Sequence, residues 1–286
     1  MLVQRAAALD AAPAAPIAGR LSAKIIASGS SGNCLLVRSA TTSVLVDLGI
    51  TARTASTVLE GRSVAPASVE AILLSHEHSD HVSGVGAFSR KYGTPVISDP
   101  RTLDAASSVG RFNRRPLALG STTTVGDLEV TSFPVPHDAA SPSGFVIRSG
   151  DWTIAYCVDL GTASETLHEP LSHADLVILE ANHDYDTLRT GPYARHLKAR
   201  ILSPLGHLSN LEAGRLIAGS ANGKARTVWL AHLSAVNNSP RLARRIVGSV
   251  LRREGISGVQ VEVAARDTPS LCWSTDSVGW QLPLLA

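Results

Sequence analysis

The sequence predicts an α/β protein built as a four-layer αββα sandwich, in which two β-sheets face each other and helices cover both outer faces. Strand-like segments come first in hairpin-like runs and later alternate with helical segments, which favours two helix-covered sheets over a single doubly wound sheet. Hydrophobic residues make up 44% of the 286 residues, enough for one large core. Periodicity alone does not exclude the doubly wound alternative.

Apolar runs bounded by Gly, Ser and Asn predict the strands of the first half of the chain. These runs are Lys24–Ala27, Cys34–Val37, Ser43–Val46 and Ala71–Ser75. A Gly/Ser turn separates the first two, the third ends at Asp47, and the fourth runs into a cluster of histidines. Helical periodicity then covers Val82–Tyr92 and stops at Gly93, a common signal for a helix end.

The second half repeats this order, with a polar residue soon after each of its first four apolar strands. The predicted strands are Leu128–Val135, Thr153–Val158, Leu176–Leu179, Thr227–Ala231 and Val259–Ala264. The polar residues after the first four are His137, Asp159, Glu180 and His232. Apolar spacing predicts helices over Leu211–Ala221 and Pro240–Arg253, and Arg111–Pro116 is expected to be an exposed basic loop.

The chain is expected to consist of a flexible Ala/Pro-rich tail over residues 1–20 and one catalytic domain over residues 21–286. The tail lacks the sustained apolar core of a signal peptide, and no later stretch approaches about 20 apolar residues, so no membrane span is predicted. Cys34, Cys157 and Cys272 lie far apart and form no C-x-x-C pair. These features predict a cytoplasmic protein without a disulfide framework.

Basic residues are concentrated in two segments, although the formal net charge is only +2. Thr187–Arg200 contains four basic residues and no acid, and the helix predicted over Pro240–Arg253 carries further arginines at helical spacing. These arginines are Arg241, Arg244, Arg245, Arg252 and Arg253. Such segments can contact the phosphates of a nucleic acid, or they can be ordinary solvated helix faces.

The strongest chemical signal is the run from Ser75 to His81, directly after a predicted strand. It places His76, His78, Asp80 and His81 within six positions. These side chains cannot all be buried without partners. Imidazole is the commonest metal ligand in proteins, and Asp adds charge as well as a donor atom, so the run predicts a metal site. The alternative is a polar surface loop that happens to be rich in histidine.

Two metal ions need six or seven ligands, so other segments must complete the set. His137, Asp159 and His232 each follow an apolar strand, where side chains from different strands can meet at one rim of a sheet. Each of them alone would be interpreted as a hydrogen-bonded turn residue. Together with the histidine cluster, they predict the remaining ligands of a site for two divalent cations.

This pattern resembles the ligand order of the metallo-β-lactamase superfamily: H-x-H-x-D-H after a strand, then a His, an Asp and a final His at strand ends. The resemblance runs over nearly the whole chain from Leu21 and implies the αββα sandwich of that superfamily. It also implies the assignment of ligands. His76, His78 and His137 would hold one ion, Asp80, His81 and His232 the second, and Asp159 would bridge them. Asp47 resembles the superfamily's early structural Asp, which supports the histidine loop. The absence of a thiolate favours zinc, with manganese as the alternative.

Two further segments resemble the transfer-RNA 3′-processing nucleases of the RNase Z group. In that group a strand-ending Glu, a Gly-His turn and a strand-ending His occur in the same order as Glu180, His207 and His232 here. The Glu and the turn His are thought to pass a proton to the leaving oxygen. The resemblance therefore implies Asp80, Glu180 and His207 as catalytic residues, with Glu180 and His207 as the proton shuttle. A capping or supporting role for His207 is the alternative.

A narrower resemblance, to the WalJ/YycJ-like proteins, rests on five segments. They are Ser28–Asn33, Leu74–His81, Glu180–Asp184, Gly206–Asn210 and Ala231–Asn238. This bacterial group is associated with metal-dependent 5′-to-3′ exonuclease activity on DNA and with DNA repair. The resemblance implies a phosphodiesterase in which a hydroxide that bridges the two ions attacks phosphorus. A site charge of about +1, from two cations, two carboxylates and that hydroxide, suits a phosphate.

Three alternatives remain open: an RNA-processing nuclease of the RNase Z type, an acyl or thioester hydrolase on the same scaffold, and a non-catalytic nucleic-acid-binding protein. Contacts with a nucleic acid are expected from polar residues near the metal cluster. These residues are Asn33, His183, Asn237, Asn238, Arg195 and Lys198. Their alternative roles are a plain turn at Asn33, support of ligands by His183, and capping of the following helix by the two later asparagines.

Overall fold

The structure, a computed structural model, describes residues 20–278. Fourteen strands occur in this part of the chain: β1 (Ser22–Ala27), β2 (Cys34–Arg38), β3 (Ser43–Val46), β4 (Val69–Leu73), β5 (Val96–Ser98), β6 (Arg114–Pro116), β7 (Thr122–Val125), β8 (Leu128–Pro134), β9 (Ser143–Ser149), β10 (Trp152–Cys157), β11 (Leu176–Glu180), β12 (Arg226–Ala231), β13 (Val259–Val263) and β14 (Cys272–Ser274).

The helices of the same residues lie between these strands. They are α1 (Ala52–Glu60), α2 (Ser79–Val82), α3 (Val85–Tyr92), α4 (Pro100–Ala105), α5 (His168–Ser172), α6 (Tyr185–Thr190), α7 (Arg195–Ile201), α8 (Asn210–Gly219), α9 (Pro240–Arg253) and α10 (Thr275–Val278). Short 3-10 turns cover Pro66–Ser68, Arg111–Asn113 and Glu165–Leu167. No helix within residues 20–278 is long and apolar enough to span a lipid bilayer.

The strands form two seven-stranded sheets, with orders β14-β1-β2-β3-β4-β5-β6 and β13-β12-β11-β10-β9-β8-β7. Each sheet is antiparallel on one side and parallel on the other. The parallel pairs run from β3 to β6 in the first sheet and from β10 to β13 in the second. Since parallel strands end at the same edge, residues that follow β10, β11 and β12 are brought together at one rim.

Alternation of side chains along the strands produces the four layers. Val44 and Val46 of β3 pack between the two sheets with Ile178 of β11. Leu45 points the other way and packs with Leu59 of α1 and Phe88 of α3. On the far side of the second sheet, Cys157 and Leu179 pack with helices α8 and α9. The predicted αββα sandwich is therefore confirmed, and the doubly wound alternative is wrong.

Two local predictions need correction. Arg111–Pro116 is not a loop, because its second half forms β6 and pairs in parallel with β5 along the edge of the first sheet. The helix predicted over Val82–Tyr92 is interrupted, with α2 ending at Val82 and α3 beginning at Val85. The interruption occurs at Gly84, where a Cβ atom would lie 2.1 Å from the carbonyl oxygen of Ile50. Only glycine allows the two backbones to approach so closely.

The predicted flexible tail falls almost entirely on Met1–Gly19, which lie outside the described residues. The predicted division of the chain into this tail and a catalytic domain therefore stays a prediction. All three cysteines are free, with Cys34 and Cys157 buried and Cys272 exposed.

Candidate metal centre

The candidate site lies at the rim where strands of both sheets end. Asp47 follows β3, Asp159 follows β10 and His232 follows β12. All three have a positive φ, at 56°, 56° and 54°. A left-handed backbone is uncommon for residues other than glycine and concentrates at functional sites. Here it occurs at the strand ends whose side chains reach the shared rim.

Asp47 anchors the loop of residues 75–81, which carries the histidine cluster, through contacts with Ser75 and His81. This carboxylate is fully buried and accepts hydrogen bonds from the Ser75 backbone N–H at 2.8 Å, the Ser75 hydroxyl at 2.9 Å and the Tyr156 hydroxyl at 2.9 Å. It also lies 2.8 Å from Nδ1 of His81. These four contacts fix the loop that carries the predicted ligands, as expected for a supporting carboxylate.

The structure brings the donor atoms of all seven predicted ligands into overlapping clusters. Within each cluster the donor atoms lie within 4.8 Å of one another. The clusters are His76, His78 and His137; Asp80, His81 and His232; His76, His81 and Asp159; and Asp159, Glu180, His207 and His232. The first two match the two cation sets implied by the sequence, and Asp159 links them through His76 and His81. The assignment of each side chain as a ligand stays a prediction.

The Nδ1 atoms of three candidate ligands, His137, His81 and His232, each contact an oxygen acceptor, which leaves Nε2 free to bind a metal. Nδ1 of His137 donates to the Gly206 carbonyl oxygen at 3.0 Å, whereas Nδ1 of His81 and of His232 face the carboxylates of Asp47 and Glu180. A proton on Nδ1 leaves the lone pair of Nε2 available as a ligand atom. The Nε2 atoms of His81 and His232 lie 3.7 and 3.3 Å from Oδ2 of Asp80.

Two buried donor atoms at the centre make no well-oriented hydrogen bond among the described residues: Nε2 of His76, and Oδ2 of Asp159, which lies 2.6 Å from Nε2 of His81. They lie 3.7 Å apart. Leaving such atoms unsatisfied costs about 1–3 kcal/mol each. A divalent cation between them would satisfy both, so the residues present fit a metal centre.

The acidic groups give the centre a strongly negative field. Burial alone would lower the pKa of His81, but the Asp47 and Asp159 carboxylates outweigh it and raise that pKa to about 10. Burial opposes ionisation of Asp159, yet His232 and His81 hold its pKa well below the usual range. The protein alone therefore balances its carboxylates with protons on imidazoles. Divalent cations can replace those protons.

Glu180 connects the metal cluster with His207. It is completely buried, and its Oε2 accepts hydrogen bonds from the backbone N–H groups of Leu160 at 2.8 Å and Leu208 at 3.1 Å. Its Oε1 lies 2.9 Å from Nδ1 of His207 and 2.8 Å from Nδ1 of His232. The sequence predicts the first imidazole contact but not the second. Glu180 therefore orients both the candidate proton donor and a candidate ligand.

The contact between Glu180 and His207 also shifts the pKa values of both side chains. Burial disfavours the charged form of Glu180, but the nearby His207 and His232 imidazoles lower its pKa to about 2. Burial likewise lowers the pKa of His207, but Glu180 and Asp159 outweigh burial and raise the pKa to about 9. The His207 side chain is 17% exposed, whereas those of Asp159 and His232 are 3% and 2% exposed. It can therefore present a proton at the mouth of the site.

The residues predicted to contact the substrate do not form one cluster, unlike the predicted metal ligands. Asn33 is buried, with its amide nitrogen 3.0 Å from Nε2 of His81. Asn238 uses its amide to brace the Ala181 and Asn182 carbonyls, and Asn237 is fully buried beside Ser234. These contacts hold the loops together, and a substrate contact of either asparagine stays a prediction.

The remaining predicted contacts lie outside the ligand cluster. Lys198 donates from Nζ to the carbonyl oxygens of Arg189 and Gly191, so its ammonium group closes the α6–α7 loop. This internal use argues against the predicted substrate contact of Lys198. Arg195 is exposed at the first residue of α7, and His183 is buried in the wall of a cavity beside His207.

An ion pair at the rim was not predicted. Arg200 forms two hydrogen bonds with Asp138, at 2.7 and 3.1 Å, and Asp138 also lies 3.3 Å from Nε2 of His137. The His-Asp dipeptide at 137–138 was the available signal in the sequence. Its partner Arg200 lies 62 residues away and could not be paired with it from spacing alone.

Comparison with known proteins identifies the family of this chain. The profile of the Beta-lactamase superfamily domain matches residues 42–233. The exodeoxyribonuclease WalJ of Streptococcus pneumoniae is 35% identical over 85% of this chain and 93% of its own length. The exodeoxyribonuclease YycJ of Bacillus anthracis is 34% identical over 85% of this chain and 94% of its own.

A solved structure confirms the fold. The metallo-β-lactamase fold protein YhfI of Bacillus subtilis superposes with a TM-score of 0.68 at 21% identity, covering 89% of this chain and 99% of its own. The chain therefore belongs to the metallo-β-lactamase superfamily, within the group that contains WalJ and YycJ.

Proposed function

We propose that this protein is a metal-dependent phosphodiesterase that acts as a 5′-to-3′ exonuclease on DNA. The observation that carries the proposal is the contact between Glu180 and His207 at the edge of a seven-ligand cluster. It supplies an oriented acid, which a phosphodiester with a poor alkoxide leaving group requires. The two relatives described above, which are named exodeoxyribonucleases, support DNA as the substrate.

The donor set supports two divalent cations, with zinc favoured and manganese as the alternative, because every donor is an imidazole nitrogen or a carboxylate oxygen. Bound cations would activate a water molecule and neutralise charge on the phosphate oxygens. The chain itself supplies the proton donor. Glu180 holds Nδ1 of His207, and the ring then offers the proton on its other nitrogen to the leaving oxygen.

Helix α9 supports contact with the DNA backbone. Its arginines are exposed and form no ion pair among residues 20–278. The helix begins eight residues after His232, a candidate metal ligand. Free guanidinium groups at that position can bind successive phosphates.

The decisive experiment incubates metal-loaded protein with 5′-labelled and 3′-labelled DNA and RNA, with the Asp80→Ala variant as control. A series of products that shortens from the 5′ end of DNA, lost in the variant, supports the proposal. Preferential cleavage of RNA would favour a nuclease of the RNase Z type. Hydrolysis of a thioester faster than of bis(p-nitrophenyl) phosphate would favour an acyl hydrolase. A cytoplasmic location is retained as a prediction from the sequence alone.

A further inference from the structure

A cavity of about 720 Å³ opens beside His207 and lies between α6, α8 and α9. Its apolar walls come from Tyr185, Leu202, Leu211 and Ile246. Its volume is in the range of small-molecule sites, which is roughly 300–1,000 Å³. Since His207 borders both this cavity and the metal cluster, a group bound in the cavity would lie next to the candidate proton donor.

Most of the strongly exposed large hydrophobic side chains among the described residues line this cavity. Among the described residues, five large hydrophobic side chains are strongly exposed, and three of these line the cavity: Tyr185 at 55%, Leu202 at 42% and Leu211 at 39%. Scattered exposed hydrophobics need no explanation, but a cluster of them marks a binding surface. An aromatic ring among them suits a flat, unsaturated ligand.

His183 in the cavity wall is a polar group without a partner. It is 1% exposed, and neither ring nitrogen has a hydrogen-bond partner among the described residues. Burial lowers the pKa of His183 and so favours the neutral ring, which offers one donor and one acceptor. A ligand with both donors and acceptors on its edge would satisfy it.

The charged groups that border the cavity are mainly acidic. Asp184, Asp186 and Glu212 line it together with two basic side chains, Arg215 and His207. A phosphate group would meet this excess of negative charge, whereas an uncharged ring or sugar would not. These charges favour an uncharged ring or sugar over a phosphate inside the cavity.

We propose that this cavity binds the terminal nucleoside of the DNA, the one that bears the leaving oxygen, with its base packed on Tyr185 and hydrogen-bonded to His183. The proposal rests on the exonuclease function. In that reaction a water oxygen forms a bond to phosphorus and the bond from phosphorus to the 3′ oxygen breaks. The electron pair stays on the 3′ oxygen, which takes the proton from His207, and the scissile phosphate remains on the shortened strand. A strand that carries a 5′-phosphate thereby releases a 5′-mononucleotide.

The test compares two oligonucleotides that differ only at the 5′-terminal residue, which carries either a base or an abasic tetrahydrofuran. We expect the wild-type protein to hydrolyse the complete oligonucleotide with a kcat/KM roughly 5- to 150-fold higher, the range for loss of one base–aromatic stack. Tyr185→Ala should lose most of this preference and Tyr185→Phe should keep it. Leu211→Ala, a second variant in the same wall, should weaken it.

The matched control is Val236→Ala, which removes a strongly exposed hydrophobic side chain that does not line the cavity. It should keep the full preference for the base. Equal hydrolysis of both oligonucleotides by the wild type would overturn the nucleoside site while leaving the exonuclease function intact. If the wild type degraded neither, yet hydrolysed bis(p-nitrophenyl) phosphate, the exonuclease function itself would be wrong and the nucleoside site with it.

Discussion

Replacing Glu180 by Gln changes one atom of a buried residue and should disturb two functions at once. The wild-type carboxylate accepts two backbone N–H groups through Oε2 and two imidazoles through Oε1. A glutamine has one oxygen and one NH₂ group, so it can satisfy only one of these pairs. The glutamine side chain is nearly the same size as the glutamate, so the substitution leaves no cavity that would lower stability.

The two orientations of this glutamine have different costs. If its oxygen faces the backbone, its NH₂ group faces Nδ1 of His207 and His232. Both rings must then accept at Nδ1 and carry the proton on Nε2, and a protonated Nε2 of His232 cannot bind a cation. If its oxygen faces the imidazoles, two buried backbone N–H groups lose their partner, at about 1–3 kcal/mol each.

We therefore expect Glu180→Gln to bind the cation beside His232 about 10- to 100-fold more weakly, the usual effect of losing a supporting carboxylate. At saturating metal, its turnover should still be lower than wild type, because His207 is no longer oriented. Calorimetric titration of the metal-free protein with zinc or manganese gives the affinity, and hydrolysis of labelled DNA gives the turnover. Wild-type affinity for both cations in this variant would refute the argument.

Three further outcomes are expected. His207→Ala should retain the metal content of the wild type, measured by atomic emission, while DNA hydrolysis slows about 10²- to 10⁴-fold; loss of metal in parallel with activity would make His207 a structural residue. Asp47→Ala should lower the free energy of unfolding of the metal-free protein by about 3 kcal/mol or more in urea titrations, because several buried partners lose their acceptor, and a change under about 1 kcal/mol would argue against its anchoring role. Arg244→Ala and Arg245→Ala should each reduce the slope of log affinity for DNA against log salt by about 1, whereas Arg53→Ala on α1 should leave it unchanged; equal slopes in all three variants would exclude α9 as the phosphate contact.

The ligand cluster could be predicted because its signal is local. Each candidate ligand follows an apolar strand, and parallel strands necessarily end at a common edge. The positions of His137, Asp159 and His232 in the sequence therefore carried most of the geometric information. The contact of Glu180 with His232 could not be predicted in this way. It depends on the register of β11 and β12, in which Glu180 lies opposite Ala231.

The direction of polar side chains could not be predicted from the sequence. Asn237, Asn238 and Lys198 have residue types that suit a substrate contact, but their amide and ammonium groups are used within the protein. Sequence pattern cannot distinguish an amide that closes a loop from one that faces solvent. The cavity beside His207 was missed for a related reason. Its walls come from separate helices, and exposure of a residue such as Tyr185 is visible only after folding.

Anomalous diffraction from crystals grown with zinc or manganese tests the central claim most directly. A dinuclear centre should give two peaks at the rim, about 3.5–4 Å apart. One should lie about 2.0–2.2 Å from the histidine nitrogens of the first cluster and the other from those of the second, with Asp159 between them. A single peak, or peaks that leave His137, Asp159 or His232 out of coordinating distance, would contradict the dinuclear centre.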